Sequence, residues 1–145
     1  MARIPRFVLA GTLHHVTARA TGSNALYVDD DDRVYFLHLL RSSIVHFGWT
    51  CHAYCLMSTH YHVIIGASLD PLSRGMHRLN GLYATEFNAR HRRAGRLFAD
   101  RFASYVIRDE AHYEAALEYV MENPVRAGLC RRAEDWKWSK LGPPF

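Results

Sequence analysis

The order of apolar and polar positions predicts alternating strands and helices in the first part of the chain. Residues 13–19 are rich in β-prone types, and turn-forming residues follow at 21–24. The acidic run 29–32 stands where a helix N-terminus favours negative charge, and we interpret it as a solvated helix start. Apolar residues then recur at helical spacing as far as Gly48, which is a suitable helix stop.

The middle of the chain predicts two strands followed by a long helix. Residues 49–57 have the composition of a strand, Ser58-Thr59 interrupts it, and residues 60–65 predict a second strand. Residues 71–91 predict a helix, because apolar side chains recur along one side. Two adjacent antiparallel strands between helices are therefore expected.

The last part of the chain predicts one more strand and one more helix. Residues 102–107 are β-prone, and Asp109 can cap a helix that runs to about Glu122. We expect Asn123-Pro124 to end this helix, because the residue before a proline disfavours the helical region. The tail contains two tryptophans and two prolines and predicts an irregular covering segment.

The predicted order β-α-β-β-α-β-α is that of a split βαβ arrangement. It predicts an α+β fold, a ferredoxin-like split βαβ sandwich, with an antiparallel sheet and helices packed on it. The sequence shows no linker, internal repeat or low-complexity segment, so residues 1–145 are expected to form a single domain.

The amino-acid composition indicates a globular protein but does not identify a binding partner. The chain has 145 residues, with 49% hydrophobic and 22% charged residues, which is typical of globular proteins. The net charge of +4 favours an anionic partner only weakly. The three cysteines show no metal-site spacing. No apolar stretch reaches membrane-span length and the N-terminal apolar run is not signal-like, so we expect a soluble, cytoplasmic protein without a membrane partner.

Two histidines in the third predicted strand form the first candidate site. Residues i and i+2 of a strand point to the same face, so His60 and His62 would present their imidazoles side by side. Such a pair can bind one divalent cation if a third ligand comes from elsewhere in the fold. Tyr61 would then point to the opposite face.

The end of the last helix offers a nucleophile and a third ligand. Tyr119 and Asn123 are spaced i and i+4, so they are neighbours on one helix face. The Asn123 amide oxygen can complete a two-histidine-plus-oxygen set, which suits Mg²⁺, Mn²⁺ or Zn²⁺. A phenol is a weak nucleophile at neutral pH, but a cation that neutralises a phosphate lowers the cost of its attack. Tyr83 falls in the apolar stripe of its helix and is expected in the core.

Basic side chains concentrate around the predicted loop before residue 102. Single-stranded nucleic acid needs positive charge along a groove together with aromatic stacking surfaces, and Phe98 and Phe102 interleave with these arginines. The candidate DNA-contacting residues are Arg90, Arg92, Arg93, Arg96, Arg101 and, beyond Tyr119, Arg126.

Three segments together resemble a known family. They are HYH after the YCLM strand, NARHRRAGRLFADRF in the middle, and EYVMENPVRAGL near the end. From about His14 to Trp138 the chain resembles the REP-associated tyrosine transposases of the single-tyrosine HUH superfamily. The bulky middle residue of the HYH triplet, Tyr61, fits this pattern if its hydroxyl finds a partner.

The resemblance implies a specific reaction. His60 and His62 would be metal ligands, Asn123 the third ligand and Tyr119 the nucleophile. The cofactor would be Mg²⁺ or Mn²⁺, and the partner would be single-stranded or hairpin DNA, with the protein associated with the nucleoid. Attack would leave a 5′-phosphotyrosine and a free 3′-hydroxyl.

Alternatives remain open at this point. The chain can be a domesticated DNA-hairpin-binding protein of the same fold with little catalysis, or a hydrolase in which the histidine pair activates water. The hydrolase hypothesis lacks an obvious carboxylate base beside the pair. The sequence also leaves open a monomer or a homodimer that exchanges the Tyr119 helix.

Overall fold

The sheet is five-stranded and antiparallel throughout, as seen in a computed structural model that describes residues 12–145. Residues 1–11, in which the sequence predicts no signal-like segment, lie outside the described residues. The strand order is β4-β1-β3-β2-β5. The strands are β1 (Thr12–Arg19), β2 (Thr50–Leu56), β3 (His60–Ala67), β4 (Ala103–Ile107) and β5 (Ser139–Leu141).

Three helices cover the two faces of this sheet unequally. They are α1 (Asp30–Phe47), α2 (Leu69–Arg90) and α3 (Glu110–Arg126). Helices α1 and α2 pack on one face over the larger apolar core, and α3 packs on the other face over a smaller one. The predicted α+β fold with an antiparallel sheet is therefore confirmed. None of the helices within residues 12–145 combines the length and apolarity needed to span a bilayer.

Alternation along β3 divides its side chains between the two faces. Tyr61, Val63 and Ile65 enter the larger core, while Ile64 belongs to the smaller core under α3. The hydroxyl of the fully buried Tyr61 donates a hydrogen bond to Asn80 Oδ1 at 2.7 Å, which is the partner that the HYH pattern requires. Tyr83 is also buried and donates to a backbone carbonyl, as its predicted core role implies.

The acidic run at the start of α1 is only partly the solvated helix start that the sequence predicts. Asp29 caps the helix by accepting from the Asp32 backbone amide at 2.9 Å. Asp32 itself is 1% exposed and is held by the side chains of Arg90 and His91 at the end of α2. The prediction was wrong for Asp32, because Arg90 from a distant helix pairs with its buried carboxylate and His91 adds a hydrogen bond.

The chain end also differs from the prediction. Helix α3 continues through Pro124 to Arg126, since Pro124 is buried and tertiary packing outweighs the local preference against a helical residue before proline. The tail forms the edge strand β5 and is not irregular throughout. Trp136 secures it by donating from its indole nitrogen to the Leu56 carbonyl oxygen at 3.0 Å.

Candidate active site

Strand β3 presents its two histidines side by side on the face covered by α3. Their ring centroids are 5.0 Å apart. Strand β1 pairs with β3 in the register Thr17 to His62 and Arg19 to His60, so β1 forms one wall of the site. The side-by-side arrangement of His60 and His62 follows from strand geometry, as the sequence predicted.

Helix α3 brings Tyr119 and Asn123 to the same place. The Tyr119 ring lies 5.8 Å from that of His62, centroid to centroid, and is 48% exposed. Tyr119 and Asn123 line a cavity of about 490 Å³ together with both histidines. The four residues that the sequence singles out thus converge within one chain.

Both histidines are held in the neutral form. Burial is the main cause that lowers the pKa of His62 to about 3, and neighbouring His15 and His60 lower it further. Burial also lowers the pKa of His60 to about 4, with help from the Arg19 charge. Neutral imidazoles keep the lone pair that a cation needs, so no proton has to be displaced from the ligand atoms before a metal binds.

The Nδ1 atoms of both histidines already have partners. Thr59 Oγ1 lies 3.1 Å from His60 Nδ1, and His15 Nε2 lies 2.8 Å from His62 Nδ1. Each ring therefore keeps its Nε2 for another ligand. Such partners on the second nitrogen are usual for histidines that bind metals.

Asn123 contributes an amide oxygen to the cavity wall. It is 9% exposed, and its amide nitrogen is buried without a hydrogen-bond partner among the described residues. An unpaired buried N–H is costly, and a hydrogen-bond acceptor in the cavity, such as a phosphate oxygen, would remove that cost and leave the amide oxygen for a cation. Two neutral imidazoles and an amide oxygen fit a divalent cation such as Mg²⁺ or Mn²⁺.

Two residues at or next to the site, one in the cavity wall and one in contact with His62, were not identified from the sequence. Asp100 lines the cavity beside the histidine pair, so a carboxylate is present where sequence reasoning found none. His15, to which the sequence assigns no specific role, contacts His62 directly. Only the pairing of β1 with β3 brings His15 there, and the spacing of residues in the sequence does not reveal that register.

The predicted DNA-contacting arginines divide into different environments. Arg101 lines the cavity, and Arg126 lies over the Tyr119 ring at 4.2 Å from its centre. Arg90 instead pairs with Asp29, Asp31 and Asp32, so its charge is compensated inside the protein.

The three arginines in the middle of the basic loop, Arg92, Arg93 and Arg96, also have different environments. Arg93 and Arg96 donate to backbone carbonyl oxygens of their own loop, and Arg92 is exposed. Arg93 and Arg96 therefore help to hold the loop that carries Asp100 and Arg101. Of the predicted set, Arg101 and Arg126 are the two placed at the candidate site.

Comparison with known proteins gives two findings. A family model described as "Transposase IS200 like" matches residues 11–123. A solved structure described as "Structure of the REP associates tyrosine transposase bound to a REP hairpin" is similar in fold, with a TM-score of 0.76 and 18% sequence identity, over 96% of this chain and 82% of that one. No curated protein sequence matches the chain significantly.

Proposed function

The chain belongs to the family of IS200-like transposases, and on that basis we propose that it is a metal-dependent nickase and strand transferase acting on single-stranded DNA. Tyr119 is the nucleophile, and His60, His62 and Asn123 are the cation ligands. The observation that carries the proposal is the convergence of these four side chains on one cavity, with the Tyr119 ring 5.8 Å from His62.

The reaction is a phosphoryl transfer to a phenol. The Tyr119 oxygen forms a bond to phosphorus, the bond from phosphorus to the sugar 3′-oxygen breaks, and the phenolic proton leaves as the 3′-oxygen gains one. The product is a 5′-phosphotyrosine and a free 3′-hydroxyl. The phosphotyrosine ester conserves the energy of the cleaved phosphodiester bond. A second 3′-hydroxyl can therefore attack its phosphorus, which releases Tyr119 and joins the two strands.

The cavity residues prepare this step in different ways. We assign Asp100, a carboxylate that lines the same cavity as Tyr119, as the acceptor of the phenolic proton. Arg126 places a fixed positive charge beside the Tyr119 ring. A divalent cation held by His60, His62 and Asn123 would neutralise the phosphate charge and hold it in place.

The substrate is single-stranded DNA, with a hairpin next to the cleavage site. The similar solved structure is described as bound to a REP hairpin, and the two chains share their fold. Arg101 extends positive charge from the cavity. Tyr105 on the adjoining strand β4 is 58% exposed and offers a stacking surface 6.2 Å from the His15 ring.

A second candidate is metal-dependent hydrolysis, which Asp100 favours. In that reaction the carboxylate would accept a proton from water and Tyr119 would form no adduct. The exposed Tyr119 ring beside the histidines argues for the transferase, because hydrolysis leaves this side chain without a chemical role.

Covalent capture tests the proposal. Labelled single-stranded hairpin DNA is incubated with the protein and Mn²⁺ or Mg²⁺ and analysed on a denaturing gel. We expect a covalent band that Tyr119→Phe abolishes. Tyr105→Phe is the matched control, since it removes a phenol on the same sheet face that is not next to His62, and the band should persist.

The remaining outcomes identify the alternatives. DNA binding without any covalent band in the wild-type protein indicates a domesticated hairpin-binding protein. Free cleaved ends that Tyr119→Phe leaves unchanged and Asp100→Asn abolishes indicate hydrolysis. Either result contradicts the transferase proposal.

A further inference from the structure

His15 is the one imidazole in direct hydrogen-bond contact with the histidine pair of β3 within residues 12–145. It lies on β1, where the register places it opposite Ile64 and one step diagonally from His62. Its Nε2 is 2.8 Å from His62 Nδ1, and the two ring centroids are 5.1 Å apart. The reaction as proposed above assigns no role to this residue.

The contact restricts how His62 can bind a ligand. A neutral imidazole carries its proton on one nitrogen and a lone pair on the other. His62 Nδ1 is occupied by His15, so a cation can bind His62 only through Nε2. That requires the His62 proton to be on Nδ1, donated to His15 Nε2, and the His15 proton to be on its own Nδ1.

We propose that His15 is a positioning residue that accepts the Nδ1–H hydrogen bond of His62 and thereby holds His62 in the tautomer and orientation that present Nε2 to a divalent cation. The inference rests on the metal site of the proposed function. It applies to the metal-free protein as well as to the metal-bound protein, because the hydrogen bond between His15 and His62 forms without a metal ion.

The contact argues for His15 as a partner of a metal ligand and not as a further ligand, because its Nε2 is already engaged by His62 Nδ1. Among the described residues, one group of three histidine, cysteine or carboxylate side chains gathers its ligand atoms within 4.8 Å, and it consists of Asp29, Asp32 and His91. His15 forms no such group with His60 and His62. Two aromatic rings also lie near it: the Tyr119 ring is 5.8 Å away in an edge-on arrangement, and the Tyr105 ring is 6.2 Å away.

Two substitutions separate the hydrogen bond from the ring packing. His15→Phe keeps a ring beside Tyr119 and removes the acceptor. His15→Gln removes the ring and returns an amide oxygen near the position of Nε2. A purely structural role predicts that Phe is the better replacement, and a positioning role predicts that Gln is.

Mn²⁺ binding to the DNA-free protein measures the effect without any cleavage assay. Free Mn²⁺ is followed by electron paramagnetic resonance during titration of wild type, His15→Phe, His15→Gln and His62→Ala. We expect His15→Phe to weaken Mn²⁺ binding about 10–100-fold, in the range found for partners of metal-binding histidines. We expect His15→Gln to stay close to wild type and His62→Ala to lose binding.

The two proposals fail in different ways. A Mn²⁺ stoichiometry and affinity that His62→Ala leaves unchanged contradict the metal site itself, because an ion held by Asp29, Asp32 and His91 would be bound equally by both proteins. Binding that His62→Ala abolishes and His15→Phe leaves at the wild-type level contradicts the role of His15 alone. Circular dichroism checks that each variant is folded.

Nitrogen NMR of the unsubstituted protein provides a test that needs no variant. Long-range proton–nitrogen correlations in ¹⁵N-histidine-labelled, metal-free protein distinguish the two neutral tautomers of His62. We expect the proton on Nδ1. A proton on Nε2 overturns the inference.

Discussion

The guanidinium of Arg126 lies 4.2 Å from the centre of the Tyr119 ring and donates a hydrogen bond to the Tyr119 carbonyl oxygen at 2.6 Å. The two residues are seven positions apart, and α3 continues through Pro124 to join them on one side of the helix. A delocalised cation therefore lies against the side chain proposed to attack phosphorus.

Replacement of Arg126 should slow covalent capture. Arg126→Gln removes the positive charge beside the developing negative charge of the reacting phosphate, and we expect the single-turnover rate of adduct formation to fall about 100-fold. Arg131→Gln, which removes an arginine from the segment after α3, is the control and should change the rate little. Equal rates for Arg126→Gln and wild type would mean that Arg126 only packs against the ring.

Arg101 and Arg90 should respond differently to substitution, although both belong to the predicted basic cluster. Arg101 lines the cavity, so Arg101→Gln should weaken single-stranded DNA binding and reduce the slope of log K against log salt by about 0.7. Arg90 pairs with the buried Asp32, so Arg90→Gln should lower the melting temperature and leave that slope unchanged. A reduced slope for Arg90→Gln would show that it reaches DNA despite its ion pairs.

The metal-free protein should lose stability on acidification. Burial holds the pKa of His62 at about 3, below its ordinary value of 6.5, so between these pH values the unfolded chain binds the extra proton. The free energy of unfolding in EDTA should therefore fall as pH decreases from 6.5 towards 4, by up to about 1.4 kcal/mol per pH unit for this residue. Urea unfolding at several pH values measures it. His62→Leu should flatten the dependence, and an unchanged slope would contradict the assignment.

Two glycines of α2 provide a matched test of core packing. A Cβ at Gly75 would overlap Trp49 Cζ2, whereas a Cβ at Gly81 would have no atom within 4 Å. Gly75→Ala should destabilise the protein by about 1–3 kcal/mol through overpacking. Gly81→Ala should stabilise it by about 0.5–1 kcal/mol, since alanine favours a helix interior. Thermal unfolding of both variants decides, and similar melting temperatures would contradict the packing argument.

Tyr105 should contribute to DNA affinity through its ring and not through its hydroxyl. Tyr105→Ala should weaken binding of single-stranded DNA by about 1–3 kcal/mol, and Tyr105→Phe should bind like wild type. Val45→Ala, at a 76% exposed position on α1 across the sheet, is the control and should have no effect. Equal affinity for Tyr105→Ala and wild type would mean that Tyr105 on β4 does not contact the bound DNA.

The sequence predicts those parts of the site that depend on a single element. The i, i+2 spacing of His60 and His62 and the i, i+4 spacing of Tyr119 and Asn123 follow from strand and helix geometry, which are local properties. The prediction that these two pairs lie at one site rested on the family resemblance. No local sequence pattern indicates which helix packs over which strand. The order of strands and helices could also be predicted from local patterns, and that order in turn indicates the antiparallel sheet.

The residues that the sequence did not identify depend on contacts between distant segments. His15 reaches His62 only through the β1–β3 register, and Asp100 reaches the cavity only through the path of the loop before β4. The burial of Asp32 depends in the same way on Arg90 and His91, 58 and 59 positions further along the chain. Runs of charged residues are usually exposed to solvent. Asp32 is an exception because α1 packs against α2.

The unequal covering of the sheet separates the candidate site from most of the apolar interior. The larger apolar core lies under α1 and α2, and the candidate site residues project from the opposite face beside α3, next to the smaller core. Exchanging exposed residues at the rim of the cavity therefore leaves the packing behind the sheet intact and should cost little folding free energy.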